Sequence, residues 1–354
     1  MILLSCSTKT NEESQSVTTA ADQELLTQAK AVLAPIPQQI DNPDNPLTPE
    51  KIKLGKMLYF DTRISRSNTI SCNSCHNLAT YGVDNNVTAM GHGWTRGPRN
   101  SPTVLNAAGQ VAQFWDGRAA DVEEQAQGPI MNPIEMGGPD KSDHDLAVAR
   151  IADIPEYKDM FIKAFPAGNS EINLKNIADA IAAYERTLMT PAPLDDFLQG
   201  KTDAMTEAEK KGLSTFISTG CTSCHNGTHV GGAMFQKFGL VKAPYWDYTG
   251  NKKVDKGKEA VSGNEADLYV FKVPTLRNIV HTYPYFHDGS VWDLQKAVEI
   301  MGETQLGRTL TSEQVDQIMT FMSALTGEVP ESARTLPMLP PSPPQAPKPD
   351  DSVI

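Results

Sequence analysis

The chain has 354 residues, with 31 Lys and Arg against 43 Asp and Glu and a formal charge of −12. That balance excludes the clustered basic footprint of a nucleic-acid binder and favours a partner with a basic face. Hydrophobic residues make up 39% of a length sufficient for about two domains, and no run of about 18 apolar residues offers a membrane span.

In chain order, MILLSC places Leu3, Leu4 and Ser5 before Cys6, and a polar stretch follows. Residues 1–21 read as the end of a lipoprotein signal and a linker, with Cys6 as the lipid-anchored residue if the start lies upstream; the alternative is an unstructured tail with an incidental cysteine. Thr48 and Pro49 cap and open a helix carrying Ile52, Leu54, Met57 and Leu58. Residues 174–188 repeat apolar positions at Leu174, Ile177, Ile181, Tyr184 and Leu188 at helical spacing. The breaker Pro191-Ala192-Pro193 then marks a domain boundary. Capping boxes at Thr206 with Glu209 and at Thr311 with Gln314 open two more helices, the second turning Val315, Ile318, Met322 and Leu325 inward. Residues 336–354 are proline-rich and exclude helix and inner strand. The class is mainly α. Two segments, about residues 77–115 and 226–290, are longer than idle connections in a compact domain, so something besides an apolar core must order them.

An internal duplication supplies it. Cys72-Asn-Ser-Cys75-His76-Asn77 recurs as Cys221-Thr-Ser-Cys224-His225-Asn226, each after a helical segment and before a glycine-containing loop. CxxCH attaches a c-type haem: cysteines at i and i+3 share one face of a turn, and the adjacent histidine reaches the iron. Structural zinc would need the two pairs about 15–20 residues apart, a thioredoxin-like pair needs a βαβ context, and disulfides at this spacing are strained. Two covalent haems c are therefore expected, and their attachment takes place outside the cytoplasm. The far ligand of the second haem stays open on spacing alone among Met301, His281 and His287, while His229 lies too close to His225 and Met234 is an ordinary core candidate.

With SCNSCHNLATYGVD, GHGWTRGPRNSPTVLNA, QFWDGRAADVEEQAQGPIMNPIEMG, GCTSCHNG, FKVPTLRNIVHTYPYFHDGSV and AVEIMGETQLG together, the chain resembles the bacterial dihaem cytochrome c peroxidases over nearly all of residues 22–345. The resemblance implies two cytochrome c-like haem domains, a peroxidatic one over 22–190 and an electron-transfer one over 191–326, with 327–354 a tail packing back on the first. It implies that His76 and His92 hold the peroxidatic haem, His92 as the removable ligand, and that His225 and Met301 hold the electron-accepting haem. Trp115 falls between the haems, Gln125 and Glu135 match the pair beside the peroxide site, and Asn100, Thr282 and Pro284 match calcium ligands. Relatives that oxidise tryptophans on a partner carry tyrosine where this chain has Met301.

Without the resemblance, Trp115 reads as a core aromatic and Glu135 as a solvated carboxylate. The implied reaction is peroxide reduction with electrons from a small cytochrome c or blue copper protein, in a periplasmic homodimer. The rivals are a dihaem electron carrier and a partner-modifying oxidase. Gly91 and Gly93 flank His92 with the residues least restricted in φ and ψ, so its loop is expected to swing.

Overall fold

The structure, a computed structural model, describes residues 18–138, 145–166, 168–251 and 253–350; Cys6, with its reading as a lipid anchor, lies outside them. Helix α1 (Ala20–Lys30) is capped by Thr19, which accepts from the Asp22 amide at 3.1 Å. Thr48 does the same for α2 (Pro49–Phe60), where Pro49 stands at a position whose N–H would lack a partner anyway. The single turn α3 (Cys72–Cys75) follows, then α4 (Val122–Met131), α5 (Asp145–Ala152), α6 (Pro155–Ala164) and α7 (Leu174–Glu185). Beyond the proline break come α8 (Pro193–Leu198), α9 (Glu207–Thr219), the single turns α10 (Trp246–Thr249) and α11 (Glu259–Ser262), α12 (Leu294–Leu306), α13 (Ser312–Ser323) and the short α14 (Glu331–Arg334). The capping boxes expected at Thr206 and Thr311 are both formed. Among the described residues the one sheet is an antiparallel ribbon of β1 (Phe235–Lys237) and β2 (Val270–Lys272), pairing Phe235 with Lys272. The fold is mainly α.

Each half is built on one crossed helix pair, α2 with α7 and α9 with α13. Both crossings are close because glycine stands at the contact. A Cβ on Gly55 would lie 1.8 Å from the Ala180 carbonyl oxygen, and one on Gly212 would lie 2.1 Å from that of Gln317. The duplication of the CxxCH motif thus extends to the helix pair beside it. One core gathers Leu54, Leu58, Phe161, Ile177, Ile181 and Tyr184; a second gathers Phe197, Leu213, Phe216, Ile318, Phe321 and Leu325. Leu26 and Ala29 of α1 join the second core, and Lys210 donates to Asp22 at 2.5 Å. Residues 20–33 therefore pack with the second half, not with the first, where a boundary at residue 22 puts them: their apolar face is covered by α8 and α9. Conversely, Val329 and Ala333 lie in the first core, Leu339 packs against it, and Arg63 and Arg150 donate to the carbonyls of Pro340 (2.9 Å) and Lys348 (2.5 Å) in the tail.

The halves meet at Thr190, which is fully buried. Its hydroxyl accepts from the side-chain amides of Asn106 at 2.7 Å and Asn278 at 2.9 Å. The Thr190 amide donates to Asn106 Oδ1 at 2.8 Å, and Asn278 Oδ1 accepts from Gly327 N at 3.0 Å. Thr190→Val keeps the shape and leaves two buried donors without an acceptor, each worth about 1–3 kcal/mol. Guanidinium unfolding should show a loss of about 2–6 kcal/mol, with Thr190→Ser losing much less; equal stability of valine and serine variants would show that the hub is ordinary packing.

Candidate haem sites and the cavity between the halves

The turn α3 presents Cys72 and Cys75 half-buried on one face, as the i, i+3 spacing requires. His76 follows directly. Its backbone carbonyl accepts from the Tyr59 hydroxyl at 2.5 Å, and its Nδ1 bonds the Pro102 carbonyl at 2.9 Å. A carbonyl only accepts, so Nδ1 carries the proton and the Nε2 lone pair is left for a metal, the way ligating histidines are usually fixed. Burial pushes the His76 pKa down, which keeps the ring in the neutral form a ligand needs. Burial also drives the Cys72 thiol up, and it pushes the Cys75 thiol up to about 12 with help from the charges of Asp84 and Glu135.

His92 occupies a tight turn, His92–Trp94, and is only 6% exposed. Neither ring nitrogen has a hydrogen-bond partner among the described residues, a costly arrangement for a buried imidazole unless a further group meets it. Its backbone amide donates to the carbonyls of Ile134 at 2.9 Å and Glu135 at 3.0 Å. The flanking glycines serve this fit. A Cβ on Gly91 would lie 2.0 Å from the Ile134 carbonyl oxygen, and Gly93 takes a φ of +60°. The loop expected to swing is thus closely seated against residues 134–135. Glu135 is half-buried, accepts from Asn132 Nδ2 at 2.7 Å, and has its carboxyl pKa raised by burial against the opposing pull of Arg118 and Asn132. Gln125 sits half-buried on α4, whose C-terminal end leads into the 132–135 turn.

The second motif starts where Gly220 ends α9 in a left-handed cap. His225 is pushed down to about 4, chiefly by burial, so it too is a neutral imidazole. Cys221, Cys224, His225 and Met301 line one cavity. Of the far-ligand candidates, His287 lines it as well, stacked on Phe271 at 4.1 Å, whereas His281 is exposed and stacks on Tyr81. His229 is buried against Gly109.

Trp115, Asn100, Thr282 and Pro284 border the same cavity. Trp115 Nε1 donates to the Asn100 carbonyl at 2.9 Å, and its ring meets the edge of His287 at 6.2 Å. Asn100 gives its side-chain NH2 to the Asn86 carbonyl at 2.9 Å, which turns its Oδ1 the other way. Three features have no sequence signal. Arg99 joins Asp116 at 2.5 Å to Asp255 at 2.6 Å, partners far apart along the chain. Lys272 is a buried cation on this wall, and Glu185 is a buried acid beside the first motif.

A mainly α chain with two CxxCH turns, each on its own crossed helix pair, has the build of a di-haem c-type protein. Residues 49–203 match the family of di-haem cytochrome c peroxidases. Over 324 residues the chain is 47% identical to cytochrome c551 peroxidase of Pseudomonas aeruginosa, covering 91% of each. It is 48% identical over 304 residues to cytochrome c551 peroxidase of Nitrosomonas europaea, covering 85% of this chain and 87% of that one. A solved structure of a MauG-like protein associated with microbial copper homeostasis superposes with a TM-score of 0.72 at 28% identity, covering 85% of this chain and 95% of that one. The chain belongs to the di-haem cytochrome c peroxidase family.

Glu185 gives a pH prediction. Burial, with Glu123 nearby, pushes its carboxyl up to about 8. A raised folded-state pKa means the folded protein holds a proton that the unfolded chain releases above about 4.3. Its contribution is thus complete at low pH and is lost as pH rises through about 8. Glu185→Gln should flatten the decline in stability across that window, gaining most near the top; parallel wild-type and variant curves would mean that Glu185 is ionised in the folded state.

Proposed function

We propose that the chain reduces hydrogen peroxide to two waters, taking two electrons one at a time from a small cytochrome c or blue copper protein. What carries this reading is the duplicated CxxCH unit within a chain so close to two cytochrome c551 peroxidases. The residues fit the cofactors: paired thiols on single turns, half-buried histidines whose pKa values are pushed down, and a buried His92 whose ring nitrogens lack partners among the described residues. Cys72 and Cys75 would anchor one haem c with His76 and His92 as ligands, and Cys221 and Cys224 the other with His225 and Met301. When bound, haem iron supplies the one-electron chemistry, and a His–Met pair raises its potential.

The protein's own groups do the rest. Met301 and His225 make the second site the electron entry point. Glu135, its carboxyl pKa already raised by burial, carries the proton between the two peroxide oxygens, and Gln125 donates a hydrogen bond to the outer one. Trp115 stands in the wall between the sites. His92 closes the peroxide site in the oxidised protein and leaves on reduction of the other side. Asn100 Oδ1 with the backbone carbonyls of Thr282 and Pro284 would hold calcium at the junction of the halves, an all-oxygen set that suits a hard cation. The same reading places the protein in the periplasm as a homodimer, anchored through Cys6. Met301, in place of tyrosine, argues against a partner-modifying oxidase.

Mixing half-reduced holoprotein with peroxide and a reduced donor should give steady donor oxidation, whereas a pure electron carrier gives none. Glu135→Gln should keep both haem spectra and cut turnover by about 10² or more; undiminished turnover would return Glu135 to a structural role.

Met301→His should lower the potential of one haem and slow donor oxidation, since imidazole favours ferric iron more than a thioether does. Potentials that stay put in a redox titration would pass the ligand role to His287, which shares the cavity.

A further inference from the structure

β2 ends in Lys272, whose side chain stays inside the protein. It is 6% exposed, and its Nζ donates to the Ala112 carbonyl at 2.8 Å. Its amide donates to the Trp115 carbonyl at 2.8 Å, so both ends are fixed to the 112–115 segment. Among the described residues no carboxylate lies within ion-pair distance of it, although lysine is rarely buried unpaired. The charged groups around it do not supply a counter-ion. Arg277 and His229 are basic, and Arg277 already holds Asp195 through two bonds of 2.7 and 2.9 Å. Asp116 is held by Arg99 at 2.5 Å and Arg118 at 3.1 Å. Left so, burial pushes the lysine down to about 7.

Lys272 lines the cavity that also contains Cys221, Cys224, His225 and Met301. A haem tied there through its vinyl edge carries two propionates on the opposite edge, and these need cationic or donor partners to be buried. We infer that Lys272 is the counter-ion of a propionate of the haem in this cavity and that its charge helps set that haem's reduction potential. This rests on the two-haem reading above. Lys272 is a positioning and tuning residue rather than a ligand: a cation held beside the porphyrin favours the ferrous over the ferric state by simple Coulomb attraction. Its backbone amide, bonded to the Trp115 carbonyl, seats this end of β2 against the segment that carries Trp115.

Two variants separate charge from structure. Lys272→Gln keeps a donor for Ala112 and loses the charge; Lys272→Arg keeps both. In a spectroelectrochemical titration of the holoprotein at pH 7, K272Q is expected to disfavour reduction of the Met301-side haem at least tenfold, which is about 59 mV for one electron, with K272R within about twofold of the unaltered protein. Potentials unmoved in K272Q overturn the inference. Pyridine haemochrome on the same samples keeps the two readings apart. A ratio near two haems per chain with unmoved potentials defeats Lys272 alone, whereas a ratio near one in the unaltered protein defeats the two-haem reading. Should K272Q load poorly, the unaltered protein is titrated between pH 6 and 9. A lysine paired with a carboxylate stays charged there, and of its basic neighbours Arg277 and His229, His229 sits near 4, well below that range. A fall in potential centred near pH 7 that K272R abolishes shows a lysine without a carboxylate partner and overturns the propionate pairing; a potential level across that range, with the haem-loaded fraction of K272Q still shifted at least tenfold, supports it.

Discussion

One buried hydroxyl, that of Thr190, accepts hydrogen bonds from Asn106 and Asn278, and the arrangement of both halves depends on it. The two asparagines belong to different long irregular segments, and both take a left-handed backbone, φ 60° and 61°. Neither segment has a helix pair of its own to pack on, so its polar backbone has to be satisfied by side chains and by the other segment. Thr190 lies just after α7 and before the proline break, at the seam between the two cores. The same few residues therefore fix the angle of the halves and the width of the cavity between them. The buried Arg277–Asp195 pair reinforces the seam. Asp195 also accepts the amides of Ile36 and Ala192, each at 2.7 Å, so its charge is shared among four donors.

The seam also decides where charge sits. Water is largely excluded around His287, Lys272 and Arg277, and in such surroundings a single charge acts strongly on its neighbours. On the first half the corresponding buried group is Glu185, an acid held near neutrality of charge, whose ionised form would raise the thiol of Cys72 further. The two sites thus differ in the buried group beside them: an acid kept protonated by burial at one, and at the other a lysine with no carboxylate partner among the described residues. In the proposed reading that difference works in the same direction as the His–Met ligand pair, favouring the electron on the Met301 side.

What was legible in the sequence was what has a local period or a local motif. The caps at Thr48, Thr206 and Thr311 and the inward face of α13 follow from spacings of three and four residues. The CxxCH turns are local as well. Met301, His281 and His287 could not be ranked by spacing, because which of them enters the cavity depends on how α12 and the 279–291 segment fold over α9. The placement of α1 is not legible for the same reason: its amphipathic face says that it packs, not on what. The Arg99 cluster joins residues 156 apart; each member alone reads as an ordinary surface charge. Lys272 and Glu185 give no sequence signal because charged residues in short hydrophobic stretches normally turn outward, and only the tertiary structure shows that these do not.

The glycines around His92 carry the last step. Read from the sequence they permit movement; in the folded chain Gly91 is there because no side chain fits between residue 91 and the Ile134 carbonyl. The His92 amide is shared between the carbonyls of Ile134 and Glu135, so displacing His92 strips both carbonyls of a donor and frees the turn that carries Glu135. The proposed roles of His92 as a removable ligand and Glu135 as a proton carrier are then not separable. In the proposed reading, departure of His92 and repositioning of the Glu135 carboxyl would be one motion, and the Asn132 bond to Glu135 at 2.7 Å is the contact that would keep the carboxyl aimed while the backbone beneath it shifts. On that proposal a gate built this way would admit peroxide only into a pocket whose acid has been rearranged by the same event, coupling access to chemistry through a single pair of main-chain hydrogen bonds.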